Sequence, residues 1–292
     1  MPEVRITEVG PRDGLQNEAA FVPTDVKRRL IAALADAGLN RIEAGSFVSP
    51  KWVPQLADTA ELWPGLPEGP EYLALVPNAK GLALAQGVGV RSIAFFTAAS
   101  DEFNRGNVNM GVEEHLRVLE PLIAEAKAAG LFVRGYVSTI THCPHSGRVD
   151  PDRVVDVAGQ LLGFGCDEIS LGETTGRAVP RDLTPLFESF LGVRHLWWHF
   201  HDTWGTALAN VAACLEQGYR DFDASAAGLG GCPYAKGAGG NLATEDLVSF
   251  SERQGLPTGV DLTRLARASS ETLDVLGRSA DSKVRRAVLA DA

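Results

Sequence analysis

Two short stretches carry residues whose types and spacing suit chemistry: EVGPRDGLQNE at positions 8–18 and WWHFHDTWG at positions 197–205. In the second, His199 and His201 are one residue apart inside an apolar run. Strand side chains alternate, so both imidazoles face one side and Phe200 the other. Two imidazoles so placed suit one small cation; they equally suit a pair of hydrogen-bonded core histidines. In the first stretch, Arg12 and Asp13 sit in a Gly/Pro turn. Such a turn either presents a carboxylate and a guanidinium to a reaction centre, or is an ordinary turn in which Asp caps its own backbone. A third stretch, GLGGCPYAKGAGGN at 228–241, places Cys232 in a glycine-rich loop ending at Asn241. A mobile loop of this kind can deliver a thiol as general acid or base, or cradle phosphate with its backbone N–H groups. With carboxylate, imidazole and the Asn241 amide as candidate ligands and no thiolate spacing, Mg²⁺ or Mn²⁺ is expected before Zn²⁺. Zinc is also satisfied by two histidines and a carboxylate. The HCPH segment (142–145) is a weaker metal or phosphate candidate.

These residues need elements that hold them together. Eight β-rich runs recur, at 4–10, 41–47, 71–77, 91–98, 132–139, 168–174, 196–202 and 221–228. Between them lie stretches of 3.6-residue apolar periodicity, several opening at a capping residue (Thr24, Asp150, Thr244) and closing at glycine. Alternating strand and helix predicts a parallel sheet covered by helices, and eight units predict a closed (β/α)8 TIM barrel. An open doubly wound sheet is the rival, but no GxGxxG follows the first strand. The expected barrel spans residues 4–256. Extra C-terminal helices follow at 261–276 and 281–290, making one catalytic domain over 1–292. In such barrels chemistry sits at the C-terminal strand ends. Arg12, Asp13, Glu43, Glu173, His199, His201, Asp202 and the 228–241 loop all fall there, as do Lys51, Asn104 and Arg105. His115 reads as a helix-surface residue, His195 as a loop residue.

Composition excludes other classes. The net charge is −10 and the pI near 5.1, with no basic stripe to neutralise phosphates, so nucleic acid is not an expected partner. No apolar run approaches the ~18 residues that span a bilayer, so no membrane association is expected. The four cysteines show no CxxC spacing. With no signal-like start, a cytoplasmic location with reduced thiols is expected.

Taken together, EVGPRDGLQNE, EAGSFVSPKWVPQLAD, HFHDTWGTALAN and GLGGCPYAKGAGGNLATEDLV resemble the 3-hydroxy-3-methylglutaryl-CoA (HMG-CoA) lyase family, over residues 4 to 290. That resemblance implies a metal-dependent lyase on a TIM barrel. It implies a cation held by Asp13, His199, His201 and Asn241, with Arg12 stabilising the enolate oxygen of the departing acyl-CoA. Cys232 becomes the catalytic thiol, Glu43 and Glu245 acidic residues lining the site, and Gln16 a further lining residue. Two departures from the family pattern stand where the acyl group should lie. Glu173 replaces an aspartate, reaching about 1.5 Å further, and His142 replaces a small residue.

The implied reaction is retro-Claisen cleavage of HMG-CoA to acetyl-CoA and acetoacetate, with Asp13, Glu43 or a bound water as base and leucine degradation as the pathway. A homodimer is expected. The departures keep open a lyase for citramalyl-CoA or a longer branched 3-hydroxyglutaryl-CoA. A condensing synthase is a further alternative, but one that usually carries a regulatory domain. A non-catalytic binding protein would have no need of the full set of Arg12, Asp13, His199, His201, Cys232 and Asn241.

Overall fold

The structure, a computed structural model, describes residues 3–230 and 240–291. Eight parallel strands close a barrel: β1 (Arg5–Glu8), β2 (Arg41–Ser46), β3 (Glu71–Leu75), β4 (Ser92–Ala98), β5 (Phe132–Ser138), β6 (Glu168–Glu173), β7 (Leu196–Phe200) and β8 (Asp221–Ala224). Each neighbours the next in sequence, and β1 pairs with β8 to close the ring, Arg5 opposite Asp221 and Thr7 opposite Asp223. The eight expected strands are all present. An antiparallel pair of two-residue strands, His142–Cys143 with Gly147–Arg148, lies in the loop after β5. No helix among the described residues is long and apolar enough to cross a membrane.

The outward faces of the strands are aliphatic (Ile6, Ile42, Ile93, Val133, Ile169) and pack with the helices into the main core. Burying that face on amphipathic helices is what stabilises this layered arrangement. The inward face is different. At the N-terminal end Arg41 and Arg134 lie over the Trp197 ring, 4.7 and 4.8 Å from its centroid. Above them Arg134 reaches Asp223 at 2.6 Å and Thr7 at 3.1 Å. Glu168 takes two bonds from Arg41, at 2.9 and 2.7 Å. The barrel is therefore filled by paired charges, and each is buried only because a partner is present. A cavity of about 400 Å³, lined among others by Arg5, Arg41, Glu71 and Trp197, opens at this N-terminal end.

Several local expectations are corrected. Asp150 does cap its helix (Pro151–Phe164), accepting from Asp152 N–H at 3.0 Å. Thr24 and Thr244 do not cap; Pro23 and Ala243 hold those positions. Both stand at the first helical position, and their hydroxyls donate to the carboxylates of Asp58 (2.7 Å) and Glu8 (2.6 Å). The helix expected at 261–276 is two, Leu262–Ala268 and Ser270–Leu276, and the last helix is Lys283–Ala290. His115 is not on the surface. It lies buried in the helix Val112–Ala128, 3.3 Å from Asn104 Oδ1, and burial lowers its pKa to about 4. Asn104, one of the rim candidates, is buried too and donates to Met110 O.

Candidate active site

After β1 the chain enters a tight π-turn, Gly10–Gly14, whose Arg12, Asp13 and Gly14 N–H groups all converge on Val9 O at 2.7–3.2 Å. Such turns recur at functional sites because they re-aim side chains. Here the turn aims Arg12 and Asp13 over the barrel mouth. The Asp13 carboxylate accepts from Arg12 Nη1 at 2.6 Å and from Asn241 Nδ2 at 2.8 Å. Arg12 Nη2 lies 2.7 Å from Glu43 Oε2, and the register of β2 shifts between Glu43 and Gly45. A bulge of this kind re-aims a side chain beside a site. Tyr136 donates to the same Glu43 oxygen at 3.2 Å, while Gln16 Oε1 accepts from Arg12 at 3.5 Å.

The pairing of β7 extends past Phe200. His201 bridges Asn241, Asp202 N–H donates to Gly240 O and Leu242 N–H to Phe200 O. This brings the end of the glycine-rich stretch against the histidine strand. Asp13, His199 and His201 each offer a ligand atom, and the three atoms lie within 4.8 Å of one another. His199 Nε2 stands 4.0 Å from Asp13 Oδ2. His201 Nδ1 and Asn241 Oδ1 are buried with no hydrogen-bond partner among the described residues. Buried acceptors without partners are costly unless something else binds them. The oxygen and imidazole acceptors gathered here, with no thiolate among the described residues, fit a divalent cation.

The electrostatics agree with that use. Burial raises the Asp13 carboxyl, but Arg12 and then the two histidines more than offset it, so it stays ionised well below the usual carboxylate range. Burial, with His199 next to it, lowers His201 to about 4, leaving a neutral imidazole. Burial also raises Glu43, against the pull of Arg12. Its Oε1 is buried and unpartnered.

Other candidates lie elsewhere. Glu173 follows inward-facing Ser170 and Gly172 on β6, so strand alternation turns it outward. It accepts from Thr141 at 3.2 Å and Thr175 at 2.8 Å, and burial raises its pKa. Half-buried His142 is 3.3 Å from the same Thr141 hydroxyl. Glu245 binds Ala227 N–H at 2.8 Å, and Asp202 accepts from Ala207 N–H at 2.9 Å. In the HCPH segment, Cys143 Sγ accepts from Ser100 at 3.0 Å. Cys232 lies outside the described residues.

One participant escaped the sequence reading. Asp223, on β8, is 3.3 Å from His199 Nδ1 and also accepts from Arg134 and from Ser170 at 2.8 Å. Burial raises its pKa, but Arg134 and His199 outweigh burial and hold it below its ordinary value. The available signal was a charged residue in mid-strand, in DFDASAAG.

Comparison with known proteins places this geometry in context. Residues 3–271 match the HMGL-like family model. The hydroxymethylglutaryl-CoA lyase of Pseudomonas mevalonii is 48% identical over 99% of this chain and 98% of its own. The 3-hydroxy-3-isohexenylglutaryl-CoA/hydroxymethylglutaryl-CoA lyase of Pseudomonas aeruginosa is 45% identical over 99% and 98%. The crystal structure of a hydroxymethylglutaryl-CoA lyase from Pseudomonas aeruginosa superposes with a TM-score of 0.95, at 44% identity, covering 100% of this chain and 99% of the other.

Proposed function

The chain belongs to the HMGL-like family, and from that membership and the site above we propose that it is a divalent-metal-dependent carbon–carbon lyase. It cleaves HMG-CoA to acetyl-CoA and acetoacetate. The observation that carries the reading is the convergence of ligand atoms of Asp13, His199 and His201 on one point beside a buried, charged Arg12, with Asn241 bonded to Asp13 and its Oδ1 unpartnered among the described residues. Mg²⁺ or Mn²⁺ fits these ligands, ahead of Zn²⁺.

When bound, the cation supplies Lewis-acid charge that lowers the pKa of the substrate hydroxyl. Glu43, with its free Oε1 and raised pKa, takes the C3 hydroxyl proton; Asp13 is too well stabilised as an anion to compete for it. The electrons of that O–H bond become the ketone of acetoacetate as C2–C3 breaks, and C2 leaves as the acetyl-CoA enolate. Arg12, clamped by Glu43 and Asp13, holds the thioester oxygen as negative charge develops there. The thiol of Cys232 supplies the proton that C2 needs, a role the family resemblance implies. A cytoplasmic homodimer acting in leucine degradation completes the reading.

The test is acetyl-CoA release from a panel of 3-hydroxyacyl-CoAs with Mg²⁺ or Mn²⁺, repeated with EDTA. Metal-dependent cleavage of HMG-CoA is expected. A second reading, toward longer branched 3-hydroxyglutaryl-CoAs as well, is favoured by the Pseudomonas aeruginosa relative, a lyase of both 3-hydroxy-3-isohexenylglutaryl-CoA and hydroxymethylglutaryl-CoA; such a substrate belongs in the panel, with citramalyl-CoA. No cleavage of any member in the presence of metal rejects the lyase assignment.

A further inference from the structure

The two histidines of the site are held differently. His201 Nδ1 has no hydrogen-bond partner among the described residues. His199 Nδ1 faces Asp223 at 3.3 Å, and Asp223 is gripped from below by Arg134 at 2.6 Å and from the side by Ser170 at 2.8 Å. Arg134 is itself fixed. It donates to Thr7, lies 3.4 Å from Glu168, and packs over the Tyr136 and Trp197 rings. Glu168 is held in turn by both terminal nitrogens of Arg41. By contact the order is Arg41, Glu168, Arg134, Asp223, His199, with each carboxylate set between two nitrogen-bearing side chains.

We propose that Asp223 and Arg134 are positioning residues of the cation site, with the ion ladder inside the barrel presetting His199 to offer its Nε2. The inference rests on the metal reading above. A carboxylate that accepts from one imidazole nitrogen fixes the tautomer, orients the ring and makes the other nitrogen the better ligand. Asp223 can do this only while its own charge is compensated, because it is buried away from water. Arg134 supplies that compensation, and the stacked rings with Glu168 leave the guanidinium one place to sit. The ladder is thus a rigid support for a ligand on the rim, built from strands β2, β5, β6 and β8.

The experiment is calorimetric titration of the full chain with Mn²⁺, comparing wild type with Asp223→Asn, Arg134→Gln, His199→Ala and, as control, Arg5→Gln. Arg5 also lies over Trp197 but bonds to Asp221 and not to the ladder. Asp223→Asn and Arg134→Gln are expected to weaken Mn²⁺ binding by roughly 10–100-fold, as loss of outer hydrogen-bond partners does at other metal sites. Arg5→Gln should bind as wild type does. Arg134→Lys, which keeps the charge, should recover part of the loss. If both ladder variants bind within about twofold of wild type while His199→Ala has lost binding, the proposal is overturned. If His199→Ala binds as wild type does, the metal reading itself fails. A second measurement needs no variant: ¹⁵N imidazole spectra of the metal-free protein at about pH 9 should show His199 protonated on Nδ1. A proton on Nε2 instead would also overturn the proposal.

Discussion

Arg12 Nη2 and Glu43 Oε2 meet at 2.7 Å with both side chains almost wholly withdrawn from water, and the same guanidinium reaches Asp13 at 2.6 Å. Burial disfavours the charge on Arg12, but Glu43 and Asp13 outweigh it and raise its pKa above the ordinary value. A permanent positive charge is thereby set at a fixed point beside the ligand cluster, before any substrate arrives. Preorganised charge of this kind stabilises a developing oxyanion without reorganisation at the moment of reaction.

Arg12→Gln should therefore lower turnover by about 10²–10³-fold, the range for losing one oxyanion donor. Mn²⁺ affinity should fall less, because removing a positive charge beside the cation offsets the lost hydrogen bond to Asp13. Near-normal turnover in this variant would reject the mechanism.

Asp13→Ala should weaken Mn²⁺ binding by more than the roughly 10–100-fold expected for the ladder variants, since it removes a ligand atom itself. Asn241 also loses its 2.8 Å acceptor. Calorimetry decides this, and an unchanged affinity takes Asp13 out of the ligand set.

Two buried carboxyls behind the site predict a pH dependence. Burial pushes Glu8 to about 7 despite donors from Gly10, Ala226 and Thr244, and pushes Glu245 to about 8. Both lie above the ordinary carboxyl value, so the folded protein keeps protons that the unfolded chain has released. Their stabilising contribution is complete below about pH 4.5 and is lost as pH rises through about 7 and then 8. Each proton accounts for at most about 1.4 kcal/mol per pH unit. Urea midpoints of the metal-free protein should therefore fall more steeply from about pH 5 to 8 in wild type than in Glu245→Gln. Parallel profiles would contradict these shifts.

Gly14→Ala tests the fit of the π-turn. A Cβ there would stand 2.7 Å from Ser225 Oγ, 2.9 Å from Leu229 Cβ and 3.1 Å from Leu229 O. Overpacking of this sort costs about 1–3 kcal/mol, and it should displace Asp13 enough to weaken Mn²⁺ binding as well. Gly159→Ala, in the helix Pro151–Phe164 with nothing within 4 Å, is the contrasting change. It should stabilise by about 0.5–1 kcal/mol. Equal melting temperatures for the two variants would remove the steric argument.

The eight-fold alternation was legible because strands and helices bury their apolar faces with different periods, and the glycine breakers mark where each ends. The placing of Arg12, Asp13, His199, His201 and Asn241 at one end followed from the barrel, since every strand points the same way. Asp223 and Arg134 were not legible as partners. They meet across the barrel from β8 and β5, a contact set by closure and register rather than by anything local. Glu173 and Glu245 show a different limit: both are near the rim in sequence, but side-chain direction decides what they touch. His115 reads as polar, yet the helix that carries it turns it into the core beside Asn104.

Asp13 and Asn241 are 228 residues apart and hydrogen-bonded, and the strands that carry them to each other form the seam where β1 meets β8. The proposed cation site, with Asn241 as a ligand, therefore needs both ends of the barrel to be joined. On the proposed reading, Asp13 has no fellow ligand near it in the chain. The histidines follow much later, and Asn241 later still. On that reading, ion capture waits for the last strand to dock, and a bound cation would certify a completed barrel. A product stalled before residue 241 would display the opening motif and yet ignore the metal.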